Sequence, residues 1–315
     1  MAELEKRTIG ETGLEVTPLC IGGGPISSLP QVFGYAVSPE QAIATVRQAF
    51  SSPITFIDTA AAYGNGSVER VIGIVIAEMG GVPEGRLVGT KADPDPTTWD
   101  FSGEQARRSV QGSLGRLGID HLPLVFLHEV ERCSFEQVMG KNGALQELRR
   151  FRDEGLIGHL GVAAGPVDVL RRYLGTGAFE VVLTHNRYTL VNRSAASVIQ
   201  QATDAGVGVI NAAVYGGGVL AKGTTVMTKY AYAQADKDLL EQIRAMESSC
   251  RLYEVPLKAA ALQFSTKDPR IASTIVGVSD PRHVDETVAL FETAIPAALW
   301  NELEALVPNE STWLR

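Results

Sequence analysis

The stretch Ile54-Thr55-Phe56-Ile57-Asp58 is an apolar run of strand length that ends in a carboxylate. Two later apolar runs end in a similar way, one in Lys91 and the other in His128, and Tyr63 lies in the loop after the first run. In a closed parallel barrel every strand points its carboxyl end at the same mouth. We therefore expect these four side chains to converge and to form a group that can transfer a proton.

The rest of the chain repeats this arrangement, because segments of strand length alternate with amphipathic segments of helix length. Strands are predicted at 19–22, 54–58, 87–91, 123–128, 157–162, 181–184, 207–212 and 273–276. Helices are predicted at 39–51, 67–79, 103–117, 142–154, 167–174, 195–205, 238–253 and 281–291, and the residues expected to cap them include Ser38, Ser102, Ser194 and Asp280. Eight such units predict an α/β fold, a (β/α)8 TIM barrel. Residues 7–18 predict an N-terminal β-hairpin, and 1–315 is expected to form a single domain because no linker divides it.

The composition narrows the classes of partner. The formal net charge of −8 argues against nucleic acid and against anionic membrane surfaces. No apolar stretch approaches the roughly 20 residues that a membrane helix needs, and residues 1–7 lack the apolar core of a leader peptide. Three scattered cysteines and five histidines without paired spacing predict no metal site and a reducing compartment. These features predict a cytoplasmic protein that acts on a small molecule.

The four polar residues have complementary chemistry. A phenol ionises near pKa 10, and a cation beside it stabilises the phenolate, so Lys91 is expected to lower the pKa of Tyr63. A buried ammonium needs an anion, which Asp58 can supply. His128 can orient a substrate oxygen and share its proton. Each residue alone is more often a cap, a packing residue or a solvated charge, but their joint placement at consecutive strand ends favours one site.

Other motifs are weaker. Gly64-Asn65-Gly66 begins like a dinucleotide-binding fingerprint, but Glu69 and the lack of an immediately preceding strand exclude that interpretation. The run Tyr215-Gly216-Gly217-Gly218 follows the seventh strand. Glycines there let backbone N–H groups approach a phosphate, although a plain flexible turn explains the run equally well.

Taken together, these motifs resemble the aldo-keto reductase superfamily. The segment Phe56–Gly64 resembles its Asp-Thr-Ala…Tyr-Gly signature, and Thr90-Lys91 and Leu127-His128 resemble its Thr-Lys and Leu-His strand ends. The resemblance implies a catalytic tetrad of Asp58, Tyr63, Lys91 and His128, and a nicotinamide cofactor bound without a Rossmann fold.

Further segments are similar to the sugar 1-dehydrogenase branch of that superfamily, among them Arg187-Tyr188-Thr189-Leu190 and Val255-Pro256-Leu257. This resemblance implies oxidation of a cyclic hemiacetal to a lactone, at C1 of an aldose such as L-fucose, L-galactose or D-arabinose, or on pyridoxal. The alternative is an NAD(P)H-dependent aldehyde or ketone reductase. A third, less favoured reading is a nucleotide-sensing subunit without catalysis.

The resemblance also implies where the cofactor lies. The cofactor-binding residues it implies are His185, Asn186, Tyr215, Gly216, Gly218, Leu220, Gly277, Ser279, Arg282, His283 and Glu286. The chain departs from the family at Ala163-Ala164, where a Ser-Asn pair usually holds the carboxamide, and at Ala92-Asp93, where Val-Gly is usual. Gly277 and His283 stand where NADP-preferring members place basic residues, and Asp280 adds a negative charge, so NAD is favoured over NADP.

Overall fold

The computed structural model describes residues 3–28, 34–231 and 233–314. Met1 and Ala2, which belong to the N-terminal segment discussed above, lie outside the described residues. Eight parallel strands close into a barrel in the order β12-β3-β4-β5-β6-β7-β8-β9. This confirms the predicted (β/α)8 TIM barrel and its N-terminal hairpin. The strands are β1 (Arg7–Thr8), β2 (Glu15–Val16), β3 (Leu19–Gly22), β4 (Phe56–Asp58), β5 (Leu87–Ala92), β6 (Leu122–His128), β7 (Ile157–Ala164), β8 (Val181–His185), β9 (Gly208–Ala212), β10 (Lys229–Tyr230), β11 (Ala233–Gln234) and β12 (Ser273–Gly277).

Helices connect the barrel strands and cover the outside of the sheet. They span Pro39–Ser51, Ser67–Glu78, Gly103–Leu117, Phe135–Met139, Ala144–Asp153, Val167–Leu174, Ala196–Asp204, Val219–Lys222, Lys237–Leu252, Leu257–Thr266, Pro281–Glu292 and Ala297–Ala305. In the described part of the chain, no helix has the length and apolar character needed to span a bilayer.

Side-chain hydrogen bonds decide several element boundaries. The predicted strand 54–58 begins only at Phe56, because the N–H groups of Ile54 and Thr55 donate to the hydroxyls of Ser52 and Thr17 instead of a neighbouring strand. Ser38, Ser102 and Asp280 cap their helices as predicted.

Ser194 is not a helix cap, which corrects the sequence prediction. The helix begins one residue later than expected, with Ala195 at the N-cap position and no side-chain cap. The Ser194 hydroxyl instead donates to Leu314 O at 2.6 Å and to Asn192 Oδ1 at 2.8 Å. The hydroxyl therefore ties this loop to the end of the chain.

The barrel closes through the pairing of its first and last strands, which are far apart in the sequence. Strand β12 pairs in parallel with β3, with Thr274 opposite Leu19. The β1–β2 hairpin lies at the opposite end from the strand carboxyl ends. There the Arg7 guanidinium donates to Ile271 O at 2.8 Å and to Thr266 O at 2.8 Å, and both residues precede β12.

The side chains of each strand alternate between two apolar layers. Leu124 and Phe126 of β6 belong to the layer that fills the barrel, whereas Val125 and Leu127 pack against the helices. The strand period of two therefore predicts which polar residues at the strand ends turn inward. By this count His128 continues the inward series of β6.

Candidate active site

The inward positions of four strands end in polar residues at the barrel mouth. Asp58 follows the inward Phe56 by two residues, and Lys91 is four residues beyond the inward Leu87. His128 and His185 continue the inward series of β6 and β8 in the same way. The register of neighbouring strands aligns their carboxyl ends. The polar residues that follow each apolar run therefore lie close together.

Lys91 is the centre of the cluster that the sequence predicted. Its ammonium donates to Asp58 Oδ2 at 2.6 Å, to Thr59 O at 2.7 Å and to Tyr63 Oη at 3.2 Å. The structure therefore joins Asp58, Lys91 and Tyr63 in a continuous hydrogen-bonded chain. His128 lies beside it, with its ring edge-to-face with the Tyr63 ring and the two centroids 6.0 Å apart.

A tight turn places Tyr63 over this cluster. The Ala62 N–H donates to Asp93 Oδ2 at 2.7 Å, and the Ala61 N–H donates to Lys91 O at 3.3 Å. After Tyr63 the backbone has positive φ at Gly64 (57°) and Gly66 (77°), a region that glycine adopts without steric cost. The glycines that resembled a dinucleotide fingerprint thus shape the loop that carries the phenol.

Burial dominates the electrostatics of the cluster. Lys91 and Asp58 are each 1% exposed. Burial alone would lower the pKa of Lys91, but the Asp58 carboxylate and the Tyr63 phenol raise it above its ordinary value. The ammonium therefore stays charged beside its anion, as a buried charge requires.

The expected lowering of the Tyr63 pKa is wrong for this structure. Burial raises the pKa of Tyr63 to about 12, because desolvation of the phenolate outweighs the opposing charge of Lys91. The phenol is therefore protonated at neutral pH. Since its oxygen accepts from Lys91, its own proton is available for donation to a substrate.

Asp93 is a member of the site that sequence reasoning did not assign. Its Oδ1 accepts from His128 Nδ1 at 2.6 Å, and its side chain is 6% exposed. Asp93 lies one residue past the end of β5 and continues its series of inward-facing residues. That alternation is the feature of the sequence that could have predicted its place in the site. In the sequence, the position stands out only because Ala92-Asp93 replaces the Val-Gly that is usual in the family.

His185 and Asn186, two predicted cofactor contacts, form a coupled pair. Burial, followed by the Arg187 charge, lowers the pKa of His185 to about 3, so its ring is neutral. The Asn186 amide Nδ2 lies 3.1 Å from His185 Nδ1, which therefore accepts and leaves the ring proton on Nε2. Asn186 Oδ1 is buried and has no hydrogen-bond partner within the described residues.

The glycine run after β9 forms a turn beside a cavity. Gly216, Gly217 and Gly218 all have positive φ. A Cβ added at Gly216 would clash with the Tyr230 ring, whereas one added at Gly218 would meet no atom closer than 3.9 Å. A cavity of about 710 Å³ lies next to this turn and is lined by Leu220, Lys222, Lys258 and neighbouring residues. Its lining carries charges of both signs, because Glu247 and Glu254 lie there with the two lysines.

The remaining predicted contacts follow β12. Gly277 is exposed, whereas Ser279 is buried, and the Gln41 amide fixes the Ser279 carbonyl by donating to it at 2.7 Å. Arg282 folds back onto Asp280 in a two-point contact, with Nε to Oδ1 at 2.9 Å and Nη2 to Oδ2 at 2.8 Å. His283 is exposed next to this pair.

Helix Leu257–Thr266 links the β9 loop with the helix after β12. It packs against Val219–Lys222 and against Pro281–Glu292. Glu286 forms an ion pair with Lys258 at the edge of the cavity. The predicted contacts after β9 and after β12 therefore border one region. Tyr230, whose ring lies beside Gly216, connects this region to the end of β8, because its hydroxyl donates to Asn186 O at 2.7 Å.

Comparisons with known proteins agree with this geometry. The family model described as "Aldo/keto reductase family" matches residues 18–308. The chain is 29% identical to an L-galactose dehydrogenase from Arabidopsis thaliana, over 99% of this chain and 93% of that protein. It is 29% identical to a D-threo-aldose 1-dehydrogenase from Pseudomonas sp (92% and 94% covered) and 27% identical to a pyridoxal 4-dehydrogenase from Microbacterium luteolum (96% and 97% covered).

A solved structure shares the fold over the same extent. The holo form of an aldo-keto reductase from Bacillus halodurans superposes with a TM-score of 0.80 at 19% identity, and the match covers 97% of both chains. At that identity the likeness concerns the fold, and the family assignment rests on the sequence model and the relatives. The chain belongs to the aldo/keto reductase family and is an NAD(P)-dependent oxidoreductase.

Proposed function

We propose that this protein is a cytoplasmic, NAD-dependent dehydrogenase that oxidises the hemiacetal carbon of a small cyclic substrate to a lactone. The observation that carries the proposal is the hydrogen-bonded chain from Asp58 through Lys91 to Tyr63, with His128 beside it at the barrel mouth. The relatives named above as acting on L-galactose, D-threo-aldoses and pyridoxal support the substrate class. Those compounds share the ability to present a cyclic hemiacetal.

The proposed site residues divide the work. The nicotinamide, when bound, supplies the acceptor for the hydride that leaves the hemiacetal carbon. Tyr63, with Lys91 hydrogen-bonded to its oxygen, and His128 hold the substrate hydroxyl and manage its proton. Asp58 forms a buried ion pair with the Lys91 ammonium. This pair keeps Lys91 charged and holds it next to the phenol of Tyr63.

The cofactor contacts are proposed on the same structural grounds. His185 Nε2–H and the unpartnered Asn186 Oδ1 are a donor and an acceptor that suit a carboxamide, and they replace the Ser-Asn pair absent at Ala163-Ala164. The turn at Tyr215, Gly216 and Gly218 would approach the phosphates. Leu220, Gly277, Ser279, Arg282, His283 and Glu286 would line the adenosine half.

A substrate panel tests the reaction class. We expect L-fucose, L-galactose, D-arabinose or pyridoxal to reduce the cofactor, measured as absorbance of the reduced nicotinamide. Turnover of simple aldehydes with reduced cofactor, and of none of these four compounds, would favour the reductase alternative. Cofactor binding without turnover of any carbonyl or hemiacetal compound would favour a nucleotide-sensing subunit.

The Asp280–Arg282 contact predicts the cofactor preference. The carboxylate engages the guanidinium at two points and so competes with a 2′-phosphate for it, and its own charge repels a phosphate. We expect kcat/KM with NAD to exceed that with NADP by about tenfold or more, which corresponds to about 1.4 kcal/mol. Parallel kinetics with the two cofactors measure this ratio.

A matched pair of variants locates the cause of the preference. Asp280→Ser keeps a side chain that can cap the helix and releases Arg282, so the NADP efficiency should rise relative to NAD. Asp285→Ser removes the same charge from the same helix without touching Arg282 and should leave the ratio unchanged. A wild-type preference for NADP would contradict the assignment.

A further inference from the structure

Asp93 is fixed from four directions next to His128. Its Oδ1 accepts from His128 Nδ1 at 2.6 Å, and its Oδ2 accepts from the Ala62 N–H at 2.7 Å. Its backbone N–H donates to Ser109 Oγ at 3.0 Å, and its carbonyl accepts from Gln105 Nε2 at 3.1 Å. The carboxylate therefore cannot rotate away from the imidazole without breaking the contact that anchors the residue before Tyr63.

This contact sets the position of the proton on His128. An ionised carboxylate only accepts hydrogen bonds, so Nδ1 of His128 must be the donor. The neutral ring then carries a lone pair on Nε2, the nitrogen left for a substrate. His185 has the opposite arrangement, because its Nδ1 faces the amide of Asn186 and its proton is on Nε2.

The mouth of the barrel thus offers one donor and one acceptor side by side. The Tyr63 oxygen is occupied by Lys91, so the phenol donates, while Nε2 of His128 accepts. The two rings lie edge-to-face with their centroids 6.0 Å apart, so both polar groups belong to the same part of the barrel mouth. A hydroxyl group both accepts and donates and so satisfies both partners, whereas a carbonyl oxygen only accepts.

We propose that Asp93 is a positioning residue that makes Nε2 of His128 the acceptor for the hydroxyl proton of a hemiacetal substrate. The inference rests on the proposed function and adds the route of the proton. The hemiacetal C–H bond breaks and its electron pair leaves as hydride to the oxidised nicotinamide cofactor. The O–H bond breaks, the carbonyl of the lactone forms, and the proton passes to Nε2. The imidazolium is then paired with Asp93 until the proton leaves to solvent.

Asp93→Asn tests this arrangement because the amide has only one acceptor oxygen. The Ala62 N–H requires that oxygen, so the amide NH2 faces Nδ1 of His128. Nδ1 must then accept, and the proton of the neutral ring moves to Nε2. The ¹⁵N NMR signals of His128, assigned by comparison with His128→Gln, should show this exchange of tautomers.

The same variant should slow the reaction in both directions. Oxidation of the hemiacetal substrate should fall about 10²-fold in kcat/KM, since the acceptor at Nε2 is lost. Reduction of an aldehyde should fall by a similar factor, because the nitrogen that takes the proton in the oxidation must return it in the reverse reaction. The dissociation constant of the cofactor should not change.

The chain contains a matched control at the other end of the barrel. Glu180 accepts from His159 Nδ1 at 2.7 Å with one oxygen and from the Leu160 N–H at 3.1 Å with the other, the same arrangement as Asp93. Glu180→Gln should therefore exchange the tautomer of His159 and leave both reactions unchanged.

The outcomes separate the two proposals. An unchanged His128 tautomer in Asp93→Asn would mean that Asp93 merely anchors the loop at Ala62. An exchanged tautomer with a wild-type kcat/KM would mean that Nε2 does not take the proton, and either result would overturn the inference. If the wild-type protein oxidises no hemiacetal, the proposed function fails and the proton route fails with it. The tautomer of His128 then still decides whether Asp93 orients the ring.

Discussion

Tyr63→Phe should lower kcat by about 10²–10⁴-fold, the usual contribution of a positioned proton donor or acceptor. The substitution removes only the oxygen that receives the Lys91 hydrogen bond and keeps the ring that packs against His128. The dissociation constant of the cofactor, measured by fluorescence titration, should stay at its wild-type value. Steady-state rates on the best substrate of the panel measure the loss.

A second phenol provides the control for this substitution. Tyr173 is buried, and its hydroxyl has no hydrogen-bond partner within the described residues. Tyr173→Phe therefore removes the same atom from a buried ring that packs against Phe135 and Phe179, and it should leave kcat unchanged. Wild-type rates in Tyr63→Phe would refute the assignment of Tyr63 as the donor.

Lys91→Met should reduce kcat by a similar factor of about 10²–10⁴ and also destabilise the protein. The change leaves the Asp58 carboxylate buried without a partner, a loss of about 3–5 kcal/mol in the free energy of unfolding. Lys91 opposes the rise of the Tyr63 pKa, so its removal should move that pKa further upward. Any limb of the pH–rate profile that reports Tyr63 should shift to higher pH.

The double variant Asp58→Asn/Lys91→Met separates the two effects. It removes both charges, so much of the lost stability should return in urea unfolding, because the uncompensated buried charge is gone. Activity should remain low because the phenol still lacks the ammonium. Recovery of activity together with stability would show that Lys91 acts through the fold and not on Tyr63.

The sequence predicted the barrel because its evidence is repeated and local. Each strand is a short apolar run, and each helix has a buried face, so an error at one boundary does not change the topology. The boundaries that differed depend on side chains from elsewhere in the chain. Ile54 and Thr55 leave the ladder because Ser52 and Thr17 capture their N–H groups, and Ser194 binds Leu314 instead of capping a helix.

In the candidate site, too, some features could be predicted from the sequence and others depend on the folded structure. The positions of Asp58, Lys91 and His128 follow from the strand period, but the pKa of Tyr63 depends on how completely the surrounding chain excludes water. Neither the ionisation of the phenol nor the contact between Asp93 and His128 is encoded in a motif. The first depends on burial in the closed barrel, and the second on the approach of the ends of β5 and β6.

The pairing of β3 with β12 also determines when this protein can finish folding. Arg7 and Ile271, which join the hairpin to the start of β12, are 264 residues apart in sequence. At a ribosomal rate of about 5–20 residues per second, that interval takes roughly 15–50 s. Until β12 emerges, β3 keeps an unpaired edge able to associate with other extended chains. The nascent chain should therefore depend on chaperone protection during most of its synthesis, and slow closure of the barrel should limit its refolding rate.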